Sequence, residues 1–172
     1  MSEKRTAFHI SLIAVSAAIT AVFTIAVRVP VPATSGYISL CDAAVVFLSA
    51  AFGPFTGFIS CGLGTAFADL LGGYPQFAPI SFIVHGIEAL IIGFIARGKK
   101  PSLSVMILSA IVALAVVSGG YFLLESLFLT TAASAAAEIP MNAIQSGAGA
   151  VIGVILYKAV ASAYRNLDTL RW

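Results

Sequence analysis

The sequence predicts an all-α integral membrane protein with six transmembrane helices and both termini cytoplasmic. Three observations predict it. Of the 172 residues, 60% are hydrophobic and only 9% are charged, against about 25% charge in ordinary soluble domains. Apolar runs of spanning length recur between proline, glycine and basic breaks. The basic residues fall where an even number of spans brings them to one face. The length makes one membrane domain, residues 1–172, and a net charge of only +2 leaves no electrostatic footprint for nucleic acid.

A spanning helix needs about 20 largely apolar residues. The first covers residues 8–27, a run without Lys, Arg, Asp or Glu. Lys4 and Arg5 precede it as in a signal peptide, but Arg28 and two prolines follow where a small-residue cleavage site belongs, so it reads as a retained helix. Residues 28–37, with Pro30, Pro32 and Gly36, read as a loop. The second helix is short, residues 38–52. Gly53-Pro54 breaks the chain before the third, residues 55–71. Gly72-Gly73-Tyr74-Pro75 turns it into the fourth, residues 78–96. Arg97-Gly98-Lys99-Lys100-Pro101 is a basic turn. The fifth helix covers residues 103–127, residues 130–137 read as a small-residue connection, and the sixth covers residues 138–163.

Lys4, Arg5, Arg97, Lys99, Lys100, Lys158, Arg165 and Arg171 then share one side, and only Arg28 lies on the other. The basic side is cytoplasmic by the positive-inside rule.

Of seven acidic residues, Glu3 and Asp168 lie in the tails. Asp42, Asp69, Glu88, Glu125 and Glu138 lie within or at the ends of spans. An ionisable group near a helix centre costs at least ~2.5 kcal/mol, so such groups face a cavity or a partner. Helices alternate in direction, which places Asp42, Asp69, Glu125 and Glu138 at the outer level. Asn142 and Gln145 follow one and two turns into helix 6, and His85 and Glu88 lie nearer the middle. Tyr37, Tyr74, Gln76 and Tyr121 join the outer level. The polar groups thus gather in one half of the bilayer, and the other half is almost wholly apolar. A channel needs polar lining throughout; this pattern describes a pocket open outward and sealed below. For any single carboxylate at a helix start, a role facing the positive end of the helix dipole is the competing reading.

His85 and Glu88, three apart on one face, offer two metal ligands where a mononuclear site needs three or four, so no metal is expected. Cys41 and Cys61 lack metal-site spacing and read as small core residues. Residues 93–100 match the phosphate-loop spacing until Lys100, which stands where Ser or Thr binds magnesium, and they end a membrane helix instead of joining a strand to a helix. The chain is expected to carry no ATP site and no cofactor. Small-residue repeats at Ala14/Ala18, Ala17/Ala21, Gly53/Gly57, Gly64/Ala68 and Gly149/Gly153 mark close-packing or docking faces.

Four stretches together resemble a known family: residues 36–43 (Gly-Tyr-Ile-Ser-Leu-Cys-Asp-Ala), 52–57 (Phe-Gly-Pro-Phe-Thr-Gly), 68–75 (Ala-Asp-Leu-Leu-Gly-Gly-Tyr-Pro) and 137–145 (Ala-Glu-Ile-Pro-Met-Asn-Ala-Ile-Gln). The chain is similar to the S components of energy-coupling factor (ECF) transporters, the substrate-binding membrane subunits of prokaryotic vitamin importers. Ser39 and Cys41 depart from the Asn and Gly expected of the pattern. The resemblance implies a multi-pass protein of the prokaryotic cell membrane that binds one vitamin near the outer face. It implies docking through Ala14, Ala18 and Ala21 onto a membrane coupling (T) subunit, with two cytoplasmic ATPases using ATP. It implies pyridoxine or hydroxymethylpyrimidine first and riboflavin next, with pantothenate and cobalamin as alternatives. Tyr37, Tyr74, Phe77 and Tyr121 suit stacking on a flat heterocycle; Glu88, Glu125, Asn142 and Gln145 suit its polar edge. Two rival readings stay open: an intramembrane enzyme using His85, Glu88 and Asp69, and a structural protein without a ligand.

Overall fold

A computed structural model describes residues 3–97, 102–164 and 166–171. Six helices form: α1 Glu3–Ala26, α2 Cys41–Phe52, α3 Pro54–Gly72, α4 Ala78–Ile95, α5 Leu103–Phe128 and α6 Ala132–Ala163, with a 3-10 turn at Leu167–Leu170. Five of the helices are long and apolar enough to cross a bilayer. Val15, Leu71, Ile111, Ile144 and Ile155 on their outer faces are each more than half exposed, an arrangement suited to lipid and not to water.

The sixth helix is a half-span. α2 has 12 residues, about 18 Å of helix at 1.5 Å per residue, against a hydrocarbon core about 30 Å thick. A β-hairpin covers the remaining depth, where the sequence suggests a loop. Its strands are β1 Arg28–Val31 and β2 Gly36–Ser39, antiparallel, with Arg28 opposite Ser39 and Val31 opposite Gly36. Pro30 is tolerated because both strands of a two-stranded ribbon are edges. The reversal passes through Ser35 at φ 58, the left-handed region that non-glycine residues rarely enter.

α6 begins earlier than expected. Thr131 caps it, its Oγ1 accepting the Ser134 N–H at 3.2 Å, and residues 132–137 join the helix. These are mostly alanines, the strongest helix formers, so the expected connection is helix. Gly53 at φ 91 ends α2 and leads into Pro54, which opens α3; proline suits the first helical position because its missing N–H would have no partner there.

α2 packs against α3, α4 and α6, with Ala43, Ala44, Val45 and Leu48 wholly buried. A Cβ on Gly149 would stand 2.5 Å from Asp42 Cβ, and one on Gly153 would stand 2.7 Å from the Ala43 carbonyl. The absence of side chains there lets α6 lie directly on α2. α1 meets α3 through the buried hydroxyl residues Ser16, Thr20 and Thr24, which leaves Ala14 and Ala18 exposed.

One end of the bundle gathers Ala50, Ala51, Ala96, Met106, Tyr157 and Leu167 into an apolar cluster, and Arg171 donates to the Ala50 carbonyl at 3.0 Å. The 3-10 turn packs here through Leu167 and Leu170. Of the basic residues expected there, Lys99, Lys100 and Arg165 lie outside the described residues, as do Gly98 and Pro101. The hairpin, the end of α3 and the starts of α4 and α6 meet at the opposite end.

Candidate functional site

At the hairpin end a narrow cavity of about 20 Å³ opens within the bundle, room for a single water. Each wall comes from a different element. β2 brings Tyr37 and Ser39, α3 brings Thr65 and Asp69, α4 brings Ser81 and His85, α5 brings Tyr121 and Glu125, and α6 brings Glu138, Asn142 and Gln145. Thr24, Cys41 and Phe77 complete it.

Of the residues singled out from sequence, Tyr37, Asp69, His85, Tyr121, Glu125, Glu138, Asn142 and Gln145 therefore face one space. Four do not line it. Tyr74 backs Tyr37, their ring centroids 4.7 Å apart. Gln76 is exposed: the left-handed Gly73, φ 86, ends α3 and throws the following turn outward. Asp42 and Glu88 stand behind His85 and are completely buried. Asp42 is also deeper than its place in the chain suggests. Its Oδ1 lies 3.8 Å from His85 Nδ1, because the hairpin has already carried the chain down to the level of His85 before α2 begins. Ser39 and Cys41, singled out only as departures from the family pattern, line it as well; Thr24, Thr65 and Ser81 were not anticipated. Among these only Thr24 carried a usable signal, the Ser16/Thr20/Thr24 spacing of four that puts hydroxyls on one helical face.

A chain that stops being helical inside a membrane must satisfy its backbone locally. Gln145 does this: its Oε1 accepts the Ser39 N–H at 2.6 Å. Ser39 Oγ in turn accepts the Cys41 N–H at 3.2 Å.

His85 Nδ1 lies 3.0 Å from Glu88 Oε2. With Glu88 ionised, Nδ1 donates to it and the lone pair falls on Nε2; with Glu88 protonated, the roles reverse. The Tyr121 hydroxyl, 3.3 Å from Nε2 and 2.7 Å from Ser81 Oγ, bridges the two. Nearer the mouth, the Tyr37 hydroxyl donates to Asp69 Oδ1. Arg28 lies 4.8 Å over the Tyr37 ring and donates to the Ala68 carbonyl at 2.7 Å.

Glu125 and Glu138 adjoin each other, and both are almost fully buried. The two bond to each other and Glu138 also reaches Thr34, while no N–H of the described residues reaches Glu125. Buried acceptors without donors are costly. The cleft thus offers aromatic faces on Tyr37, Phe77 and Tyr121, and an excess of acceptors on α5 and α6. Chemically it suits a flat solute rich in hydrogen-bond donors.

A family model described as "ECF-type riboflavin transporter, S component" matches residues 4–162. Among curated proteins, an "Uncharacterized protein in gap 3'region" of Pyrococcus woesei is 29% identical over 132 residues, 77% of this chain and 87% of its own length.

Proposed function

The chain belongs to the ECF-type riboflavin transporter S component family, and from that premise we propose that it captures a riboflavin-class vitamin in the cleft at its hairpin end. It is a multi-pass membrane subunit of a transporter and not an enzyme. That sets aside the catalytic reading of His85, Glu88 and Asp69. The family description moves riboflavin ahead of pyridoxine and hydroxymethylpyrimidine, for which nothing in the comparisons speaks.

One observation supports this substrate class above the rest: three aromatic side chains and several carboxylate oxygens face the same cavity. A three-ring heterocycle stacks on the former, and its ring N–H and chain hydroxyls supply donors to the latter. Pockets for molecules of that size measure about 300–1,000 Å³. Binding therefore requires the walls to part.

The cleft faces outward if the basic residues of the opposite end lie in the cytoplasm. Delivery depends on a coupling subunit and two ATPases, which use the ATP. The docking face is the groove of Ala14, Ala18 and Ala21 with Ile10 and Ile13, bordered by Leu63 and Phe67 of α3. Its small residues permit close helix approach.

Titration of the purified chain with riboflavin, followed by quenching of flavin fluorescence, tests the reading. Saturable binding without ATP is expected, with uptake into liposomes only when the partner subunits are present. Binding of pyridoxine or hydroxymethylpyrimidine in place of riboflavin would overturn the substrate class. Sustained uptake by the chain alone would overturn the division of labour.

A further inference from the structure

We propose that Cys41, Asp42 and His85 form a site for a zinc-class divalent cation at the floor of the cleft, with Glu88 holding the imidazole in place. The site borders the cleft proposed for the vitamin but does not depend on that reading.

The first support is distance. Cys41 Sγ lies 3.4 Å from His85 Nε2 and 3.4 Å from Asp42 Oδ2, and one ligand atom from each of the three residues falls within 4.8 Å of the others. Zinc holds sulfur at about 2.3 Å and nitrogen or oxygen at about 2.0–2.1 Å in a tetrahedron, which separates a sulfur ligand from a nitrogen or oxygen ligand by about 3.5 Å. An ion fits among these atoms with only small side-chain movements.

The second support is the tautomer. Glu88 Oε2 lies 3.0 Å from Nδ1; when ionised it accepts the Nδ1–H and leaves the Nε2 lone pair on the side of the thiol. Carboxylate, imidazole and metal in a row is the usual outer-shell arrangement of zinc histidines.

The third is charge. Asp42 and Glu88 are 0% exposed and adjoin each other, and Asp42 Oδ1 lies 3.8 Å from His85 Nδ1. No Lys or Arg lines this cavity. Two carboxylates around one imidazole in a low-dielectric interior call for a positive charge. A divalent cation supplies it, and the thiol releases its proton as it binds. Thiolate with imidazole favours zinc-class ions over magnesium or calcium. Cys41 and His85 also line the cavity, so the fourth coordination position opens towards it, with room for a water or a donor atom of the solute.

The test loads the intact chain, in detergent and without vitamin, with cobalt(II) as a spectroscopic probe and with zinc. One cobalt per chain, with a sulfur-to-cobalt charge-transfer band that zinc abolishes, is the expected result. The band should vanish in Cys41→Ser and persist in Cys61→Ser. Glu88→Gln should weaken zinc binding about 10–100-fold. If Cys41→Ser does not fold, a rise in the wild-type melting temperature with zinc, reversed by a chelator, carries the same decision. No charge-transfer band at saturating cobalt, or a band that survives in folded Cys41→Ser, overturns the site. Riboflavin titration of the metal-free protein reports separately on the vitamin reading.

Discussion

Gln145 on α6 reaches 106 positions back along the chain to accept the Ser39 backbone N–H at 2.6 Å. The contact marks where the hairpin gives way to the half-helix α2. At that depth no water replaces a lost partner.

Gln145→Leu should therefore leave a buried N–H unsatisfied and lower stability by about 1–3 kcal/mol. Vitamin affinity should fall with it, since Gln145 also lines the cleft. Thermal unfolding in detergent, with and without vitamin, checks both effects. A variant as stable as the wild type would show that another group satisfies Ser39.

The contact between α2 and α6 depends on glycine. Gly149→Ala places a Cβ 2.5 Å from Asp42 Cβ, which forces the helices apart at a cost of about 1–3 kcal/mol. Gly147→Ala, two residues away, meets nothing within 4 Å and should be neutral or slightly stabilising. Paired melting curves of the two variants separate a close-packing effect from a general intolerance of α6 to substitution.

Glu125 and Glu138 separate stability from binding. Two adjoining buried carboxyls share a proton, so Glu125→Gln, which keeps a donor beside Glu138, should change the melting temperature little. The same change removes acceptors from the cleft and should weaken vitamin binding at least about tenfold, as loss of a charge-assisted bond of about 1.5–3 kcal/mol predicts. Lower stability with unchanged affinity would assign the pair a structural role.

Tyr37 tests the mouth of the cleft. Its hydroxyl donates to Asp69 Oδ1, so Tyr37→Phe should leave a buried carboxyl oxygen without its donor and lower stability by about 1–3 kcal/mol. Thermal unfolding of the two proteins in detergent checks it. A variant as stable as the wild type would contradict the bond.

The docking face is tested by filling it. Ala14→Leu and Ala18→Leu occupy the exposed groove beside Leu63 and Phe67 without touching the cleft. Uptake by the reconstituted transporter should fall at least about tenfold, while riboflavin titration of the isolated subunit stays unchanged. Full uptake by both variants would place the coupling subunit elsewhere.

Much of the site was legible residue by residue. Asp69 and Glu125 end their helices and Glu138 and Asn142 lie in the first half of theirs, so alternation of helix direction was enough to bring them to one end. Gln76 misled because it sits beside Tyr74 and Phe77 in a polar turn, and only the left-handed Gly73 decides that the turn points outward. Thr65 and Ser81 went unnoticed because a lone hydroxyl in an apolar run is chemically unremarkable until a cavity forms beside it. Cys41 looked like packing material; its distance to His85 across 44 positions is what gives it a chemical neighbour.

By itself the sequence determined the solvent, the number of helices, the family and the end at which polar groups collect. These depend on sums along the chain: apolar length, the spacing of breaks and the placement of charge. Only the tertiary structure decided that α2 starts inside the membrane, that a hairpin covers the missing depth, that Asp42 lies with His85 and Glu88, and that Glu125 meets Glu138. Those relations are set by which distant partner satisfies a buried backbone or carboxylate group, a condition that no local run of residues expresses.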